Sequence, residues 1–176
     1  AEPVPAPEER VDCLTDDSGG FEYFPGERVS LSLGSQLLGS TDADHRITPV
    51  DLFDGADIED ARVGNMARLL QSLDADADPK AGISITPQVV TCFETAVGQH
   101  GHVTDWNDSV RINDLIDSTI AACSGAVTLQ EVSLEDALEN LERSIGSSMF
   151  RKNVSKTPEL GTDKSKLDFM NIRVPA

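Results

Sequence analysis

The chain has 176 residues, with 14 Lys and Arg against 31 Asp and Glu, for a formal net charge of −17. A pI near 4.3 excludes nucleic acid and anionic membranes as main partners, because phosphate recognition needs clustered Lys and Arg. No apolar run approaches the roughly 20 residues that span a bilayer, while 39% apolar residues suffice for the core of one domain.

Residues 1–11 read as a leader. Ala1-Glu2-Pro3-Val4-Pro5-Ala6-Pro7 is a small residue, an acid and a Pro-rich stretch, the pattern of a mature N-terminus left after export. The three cysteines, Cys13, Cys92 and Cys123, lack CxxC spacing and suit an exported chain with one disulfide. Residues 12–150 form a single domain and 151–176 a tail.

Strand signals come first. Phe21-Glu22-Tyr23-Phe24 follows the turn signal Asp16-Asp17-Ser18-Gly19-Gly20. Pro25-Gly26 is a second turn, and Val29-Ser30-Leu31-Ser32-Leu33 alternates strictly, so the two runs predict a β-hairpin around Pro25-Gly26-Glu27. Gln36-Leu37-Leu38 and Arg46-Ile47-Thr48-Pro49-Val50 can extend that sheet.

Helical period takes over near Ile58. Met66, Leu69, Leu70 and Leu73 lie on one helix face. Thr86-Pro87 is a start signal, with Thr as N-cap and Pro in the first turn, and Val89, Val90, Phe93 and Val97 make the apolar stripe that follows. Ile112, Leu115, Ile116, Ile120 and Cys123 make another. Val127-Thr128-Leu129 predicts a short strand. Ser133-Leu134-Glu135-Asp136 resembles a capping box, opening a helix with Leu134, Ala137, Leu138, Leu141 and Ile145 inward. Residues 167–174 predict a last strand. This order, a small N-terminal sheet, about four helices and a C-terminal strand, is α+β. Cys92 and Cys123 lie on stripes of successive helices that should pack antiparallel, which brings the two together and leaves Cys13 apart.

Charge is uneven. Residues 1–150 hold 8 basic and 28 acidic residues, a net of −20, and 151–176 hold 6 against 3, a net of +3. The tail is therefore drawn to an acidic surface, its own or another's. The densest acidic cluster is Asp74-Ala75-Asp76-Ala77-Asp78. Three carboxylates at alternate positions after a helix suit Ca²⁺, which takes six to eight oxygens. The pattern departs from an EF-hand loop, with Pro79 where Gly belongs and Ser84 or Ile85 where a bidentate Glu belongs. His100-Gly101-His102 is a second metal candidate: two imidazoles two apart on an extended loop can share Zn²⁺ or Cu²⁺, with Asp105 or His45 in support.

Asp16-Asp17-Ser18-Gly19-Gly20-Phe21-Glu22-Tyr23, Pro25-Gly26-Glu27 and Val29-Ser30-Leu31-Ser32-Leu33-Gly34 together resemble a pattern of exported bacterial proteins, TD-x-x-G-x-F-x-Y-x-x-G-x-x-V-x-F-x-I-G. The similarity continues through Thr48-Pro49-Val50-Asp51-Leu52 and then through Asn65-Met66-Ala67-Arg68-Leu69-Leu70-Gln71-Ser72-Leu73 onward to Ile85. It ends near Val132-Ser133-Leu134-Glu135-Asp136-Ala137. It spans about residues 12–145 and implies export and a shared architecture, without implying an activity.

No Gly-x-Ser-x-Gly elbow, HExxH, P-loop or GxGxxG is present. Three functions follow as expectations. The first is a non-catalytic exported binding or assembly module, calcium-stabilised, that meets a protein partner or itself through its acidic body and basic tail. The second is an acidic accessory subunit docking an exported redox enzyme or cytochrome. The third is an enzyme of unrecognised class.

Overall fold

Residues 29–33 alternate between the core and the outer face: Val29, Leu31 and Leu33 are buried, and Ser30 and Ser32 are half-buried. They lie in β3 (Arg28–Leu33), which runs through the two-residue loop Gly34-Ser35 into β4 (Gln36–Asp42), with Leu33 opposite Gln36. Gly34 has φ +55° and Ser35 does not share it, the pattern of a type II′ hairpin turn. The structure is a computed structural model and describes residues 12–16, 19–78, 82–152, 163–167 and 173–175. The leader 1–11 and the residues Pro79, Lys80, Phe169, Met170 and Ile172 lie outside the described residues.

The other strands are β1 (Asp12–Leu14), β2 (Gly20–Tyr23), β5 (Arg46–Ile47), β6 (Asp163–Leu167) and β7 (Arg173–Pro175). A four-stranded sheet has the order β1-β7-β3-β4 and a three-stranded sheet the order β2-β6-β5. The expected hairpin around Pro25-Gly26-Glu27 does not form. The turn is there, with Glu27 N–H donating to Phe24 C=O and Phe24 N–H to the Glu27 carboxylate, but β2 pairs with β6 while β3 pairs with β4 and β7. Partners from the far end of the chain take the edges that a local hairpin would have joined.

Arg46–Ile47 ends after two residues. Pro49 has no N–H for a ladder, and Thr48 turns the chain into a 3₁₀ turn, Pro49–Leu52, with its N–H and hydroxyl both donating to Asp51 Oδ2. Residues 127–129 form no strand; Leu129 is buried as part of a loop. Among the described residues the tail gives two strands, β6 and β7; most of the strand expected over 167–174, residues 168–172, lies outside the described residues.

The helices are α1 (Ala61–Ser72), α2 (Pro87–His100), α3 (Ser109–Cys123) and α4 (Leu134–Lys152). Each of the first three begins at a side-chain cap that accepts a backbone N–H: Asp60 from Arg62, Thr86 from Val89, Asp108 from Arg111. The Arg62 side chain also donates to Asp60 and, with the backbone bond, holds its carboxyl at about 2. Its share of stability is present above the usual carboxylate range and is lost as pH falls toward 2. Ser133 and Asp136 cap α4 as expected, yet Leu134 is 47% exposed, and Ala137 and Leu141 carry the buried face.

Cys92 and Cys123 form a disulfide, Cα–Cα 5.4 Å, that joins the first half of α2 to the end of α3. The ring of His100, at the end of α2, bonds Ser118, which precedes Cys123 on α3, so the two helices run antiparallel as expected. The bond closes a separation of 31 residues. Loop-entropy reasoning predicts that replacing both cysteines by Ser lowers the unfolding free energy by roughly 3–4 kcal/mol, read as a lower urea midpoint, with a steeper slope because the unfolded chain without its crosslink exposes more surface.

Candidate functional site

The run from Asn65 to Asp78 is the most distinctive stretch of the sequence, and the polar residues of its helical part, Asn65, Gln71 and Ser72, face inward. α1 is buried over residues 63–72 except at the half-buried Arg68. Val63, Met66, Leu69 and Leu70 supply its apolar contacts. Gly64 lies under α4, where a Cβ would stand 2.8 Å from Leu134 Cδ1.

A buried polar group needs a partner, and each of these has one. Asn65 Nδ2 donates to Trp106 C=O at 2.8 Å. Gln71 Nε2 donates to Ala137 C=O at 2.9 Å and its Oε1 accepts from Asn140 at 2.9 Å. Ser72 Oγ accepts Val132 N–H at 3.0 Å, and Arg68 Nε donates to Val132 C=O at 3.0 Å, so α1 satisfies both main-chain groups of that residue. The Arg68 guanidinium also bonds Asn113 and Glu131. These side chains tie α1 to α4 and to the loops around Trp106 and Val132.

The acidic loop leaves α1 directly. Asp74 is buried, and its Oδ1 accepts Ser84 N–H at 2.9 Å, while Ala75 N–H donates to Ser84 C=O at 2.9 Å. These bonds clasp the ends of the loop 74–84. Asp76 Oδ1 accepts Asp78 N–H, across Ala77 at φ +54°, and the Asp76 and Asp78 residues are exposed. Burial pushes the Asp74 carboxyl up, against the Ser84 amide, which pulls it down; the nearby Asp76 charge adds to the rise. No group of three or more His, Cys, Asp or Glu able to hold a metal ion occurs among the described residues.

His100 and His102 diverge. His100 Nε2 meets Ser118 Oγ on α3 at 2.7 Å, and His102 Nε2 meets Ser35 Oγ in the hairpin turn at 3.0 Å. His45 packs edge-on to Tyr23, and Asp105 Oδ1 accepts Asn107 N–H. The pair thus serves two contacts in different directions, because Gly101 (φ +83°) turns the chain between them.

His102 marks a junction that local sequence does not reveal. Glu94 on α2 accepts Ser35 N–H at 2.6 Å and Ser35 Oγ at 2.9 Å. Beside it the buried Gln36 side chain accepts Val103 N–H at 2.7 Å and donates to Val103 C=O at 3.1 Å, as a strand neighbour would. Glycine suits position 34 because its φ is +55°, and a Cβ there would lie 2.2 Å from Glu94 Oε1 and push the carboxylate off Ser35. Ser, His and Glu meet, but Ser35 sits in the middle. Its one proton goes to the carboxylate, so His102 donates to it. A hydrolytic triad needs the imidazole between serine and carboxylate, accepting the serine proton. This arrangement straps the hairpin to α2 and does not make a nucleophile. The turn residues Gly34 and Ser35 were readable after an alternating strand; Glu94, 59 residues away, carried no signal.

No family model, curated protein or solved structure matches the chain.

Two outcomes follow. Gln71→Leu leaves Ala137 C=O and Asn140 without their partner and should cost about 1–3 kcal/mol, seen in chemical unfolding. For Asp74 the folded carboxyl titrates above the unfolded one, so the folded state binds the proton first, and stability falls as pH rises through that window. Asp74→Asn keeps an acceptor for Ser84 N–H and should remove that fall; thermal melts from the ordinary carboxyl value of 3.8 upward check it.

Proposed function

We propose that the chain is a non-catalytic exported module that binds or assembles by main-chain strand pairing and charge complementarity. The observation that carries this reading is the placement of the basic C-terminal segment. It comes from a stretch with a net charge of +3, and it lies as β6 and β7 inside the sheets of a body with a net charge of −20. By register Lys164 stands opposite Glu22. An acidic body that takes up an extended basic strand by its backbone has the chemistry of strand addition, in which backbone bonds supply affinity and alternate side chains supply selectivity. The disulfide supports an oxidising compartment, hence export. No helix among the described residues is long and apolar enough to cross a membrane.

Sedimentation of the full chain from micromolar to millimolar concentration, with crosslinking in the native envelope fraction, tests the reading. Self-association, or partners whose crosslinking is suppressed by added salt, is the expected result. A monomer at every concentration with no crosslinked partner overturns it.

Calcium enters this reading through the exposed Asp76 and Asp78. An ion that binds only the folded form at a hundredfold excess over Kd adds about 2.7 kcal/mol. Calcium should raise the melting temperature above that in sodium at matched ionic strength, and Asp76→Asn with Asp78→Asn should abolish the difference. Equal melting in the two salts removes calcium from the reading.

A further inference from the structure

Among the described residues, β1 finds its partner only in β7, and β2 and β5 find theirs only in β6. The β3–β4 hairpin is the one strand pair that closes without the C-terminal segment. The substantial contacts of β6 and β7 are with strands and not with helices. Withdrawing the segment therefore leaves the four helices, their disulfide and the hairpin in place. It opens two slots, one between β1 and β3 and one between β2 and β5. Vacant strand edges carry unpaired N–H and C=O groups and template another strand. The segment whose register and sequence fit both slots at once is the same segment of a second copy.

We propose that the C-terminal strands are exchangeable, and that two copies of this chain associate by trading β6 and β7, each completing both sheets of the other. This deepens the assembly reading above and rests on it. The pairs formed are the same within one chain and between two, so the closed and exchanged forms differ mainly in the connecting residues and in one molecule's freedom of movement. Exchange should become populated as protein concentration approaches the effective concentration of the segment in its own chain, on the order of 1 mM. Two chains of net charge −17 repel, so added salt should favour the exchanged form.

Register supplies the test. Cys13 on β1 stands opposite Val174 on β7, and paired residues of antiparallel strands lie within disulfide reach. Full-length Val174→Cys is refolded and oxidised at micromolar and at about 1 mM concentration, in low and high salt, and read on non-reducing gels beside sedimentation. The expected result is an intrachain crosslink when dilute and a covalent dimer when concentrated, with more dimer in high salt. A second variant, Glu22→Cys with Lys164→Cys in a Cys13→Ser background, reads the β2–β6 pair and stands in if the first fails to fold. Intrachain crosslinks alone in a sample that sediments as dimer overturn exchange but leave the assembly reading standing. Intrachain crosslinks alone in a sample monomeric at every concentration overturn exchange and any self-assembly, and leave the reading above only with a different partner captured in the envelope fraction. Folded protein with no crosslink at either pair overturns the register and the proposal with it.

Discussion

Helix α1 has almost no solvent face, and a helix enclosed in this way must find an internal partner for every polar side chain it carries. Asn65, Gln71 and Ser72 are buried, and Arg68 is half-buried. Leaving any of them unbonded costs about 1–3 kcal/mol, a sizeable share of a domain's net stability. Their bonds decide where the neighbours sit. The loop at Val132 is placed by Arg68 and Ser72, α4 by Gln71, and the Trp106 loop by Asn65. Trp106 in turn meets Phe53 edge-on, and the Arg62 guanidinium lies 5.0 Å from the Phe53 ring centre. A run of residues that looks functional for its polarity is thereby the scaffold.

The same device recurs at the hairpin. Gln36 satisfies both main-chain groups of Val103 as Arg68 and Ser72 together satisfy those of Val132. Loops that carry no strand of their own are held by side-chain groups acting in place of a strand neighbour. Such bonds are short-range and strongly directional, so they fix a loop's position where apolar contact alone would leave it free to slide. The cluster of Ser35, Glu94 and His102 belongs to this class. Its order, with the serine central, separates it from a catalytic triad of the same three residue types.

Against this well-determined helical part stands a sheet part that depends on the far end of the chain. The body's net charge of −20 carries a self-repulsion that the basic segment offsets when it inserts. Long-range strand insertion must overcome loop-closure entropy before any pairing rewards it. The disulfide and the α1 network are independent of that step. The molecule is thus arranged as a helical core with a hairpin, into which a charged pair of strands closes last in sequence and central in space.

Periodicity determined the α+β order and the four helices, and residue type the caps at Thr86 and Ser133, because both are local properties of the chain. It also placed Cys92 and Cys123 on facing stripes of successive helices, where the bond forms. The partner of β2 and the C-terminal partner of β3 were not legible. Pro25-Gly26 reads as a hairpin turn whether or not the flanking strands pair, and the choice lay with strands more than a hundred residues away. The divergence of His100 and His102 was equally hidden, since it depends on Ser118 and Ser35, neither of which is a neighbour in sequence. Three aspartates at alternate positions announce a dense charge, but only the enclosure of the loop turned Asp74 inward to Ser84 and left Asp76 and Asp78 in solvent. Local pattern thus settled which segments form elements and which faces are apolar. Which edge meets which strand, and which polar side chain is internal, was decided only in the tertiary structure, because those outcomes are set by competition among distant groups for the same few hydrogen-bonding positions.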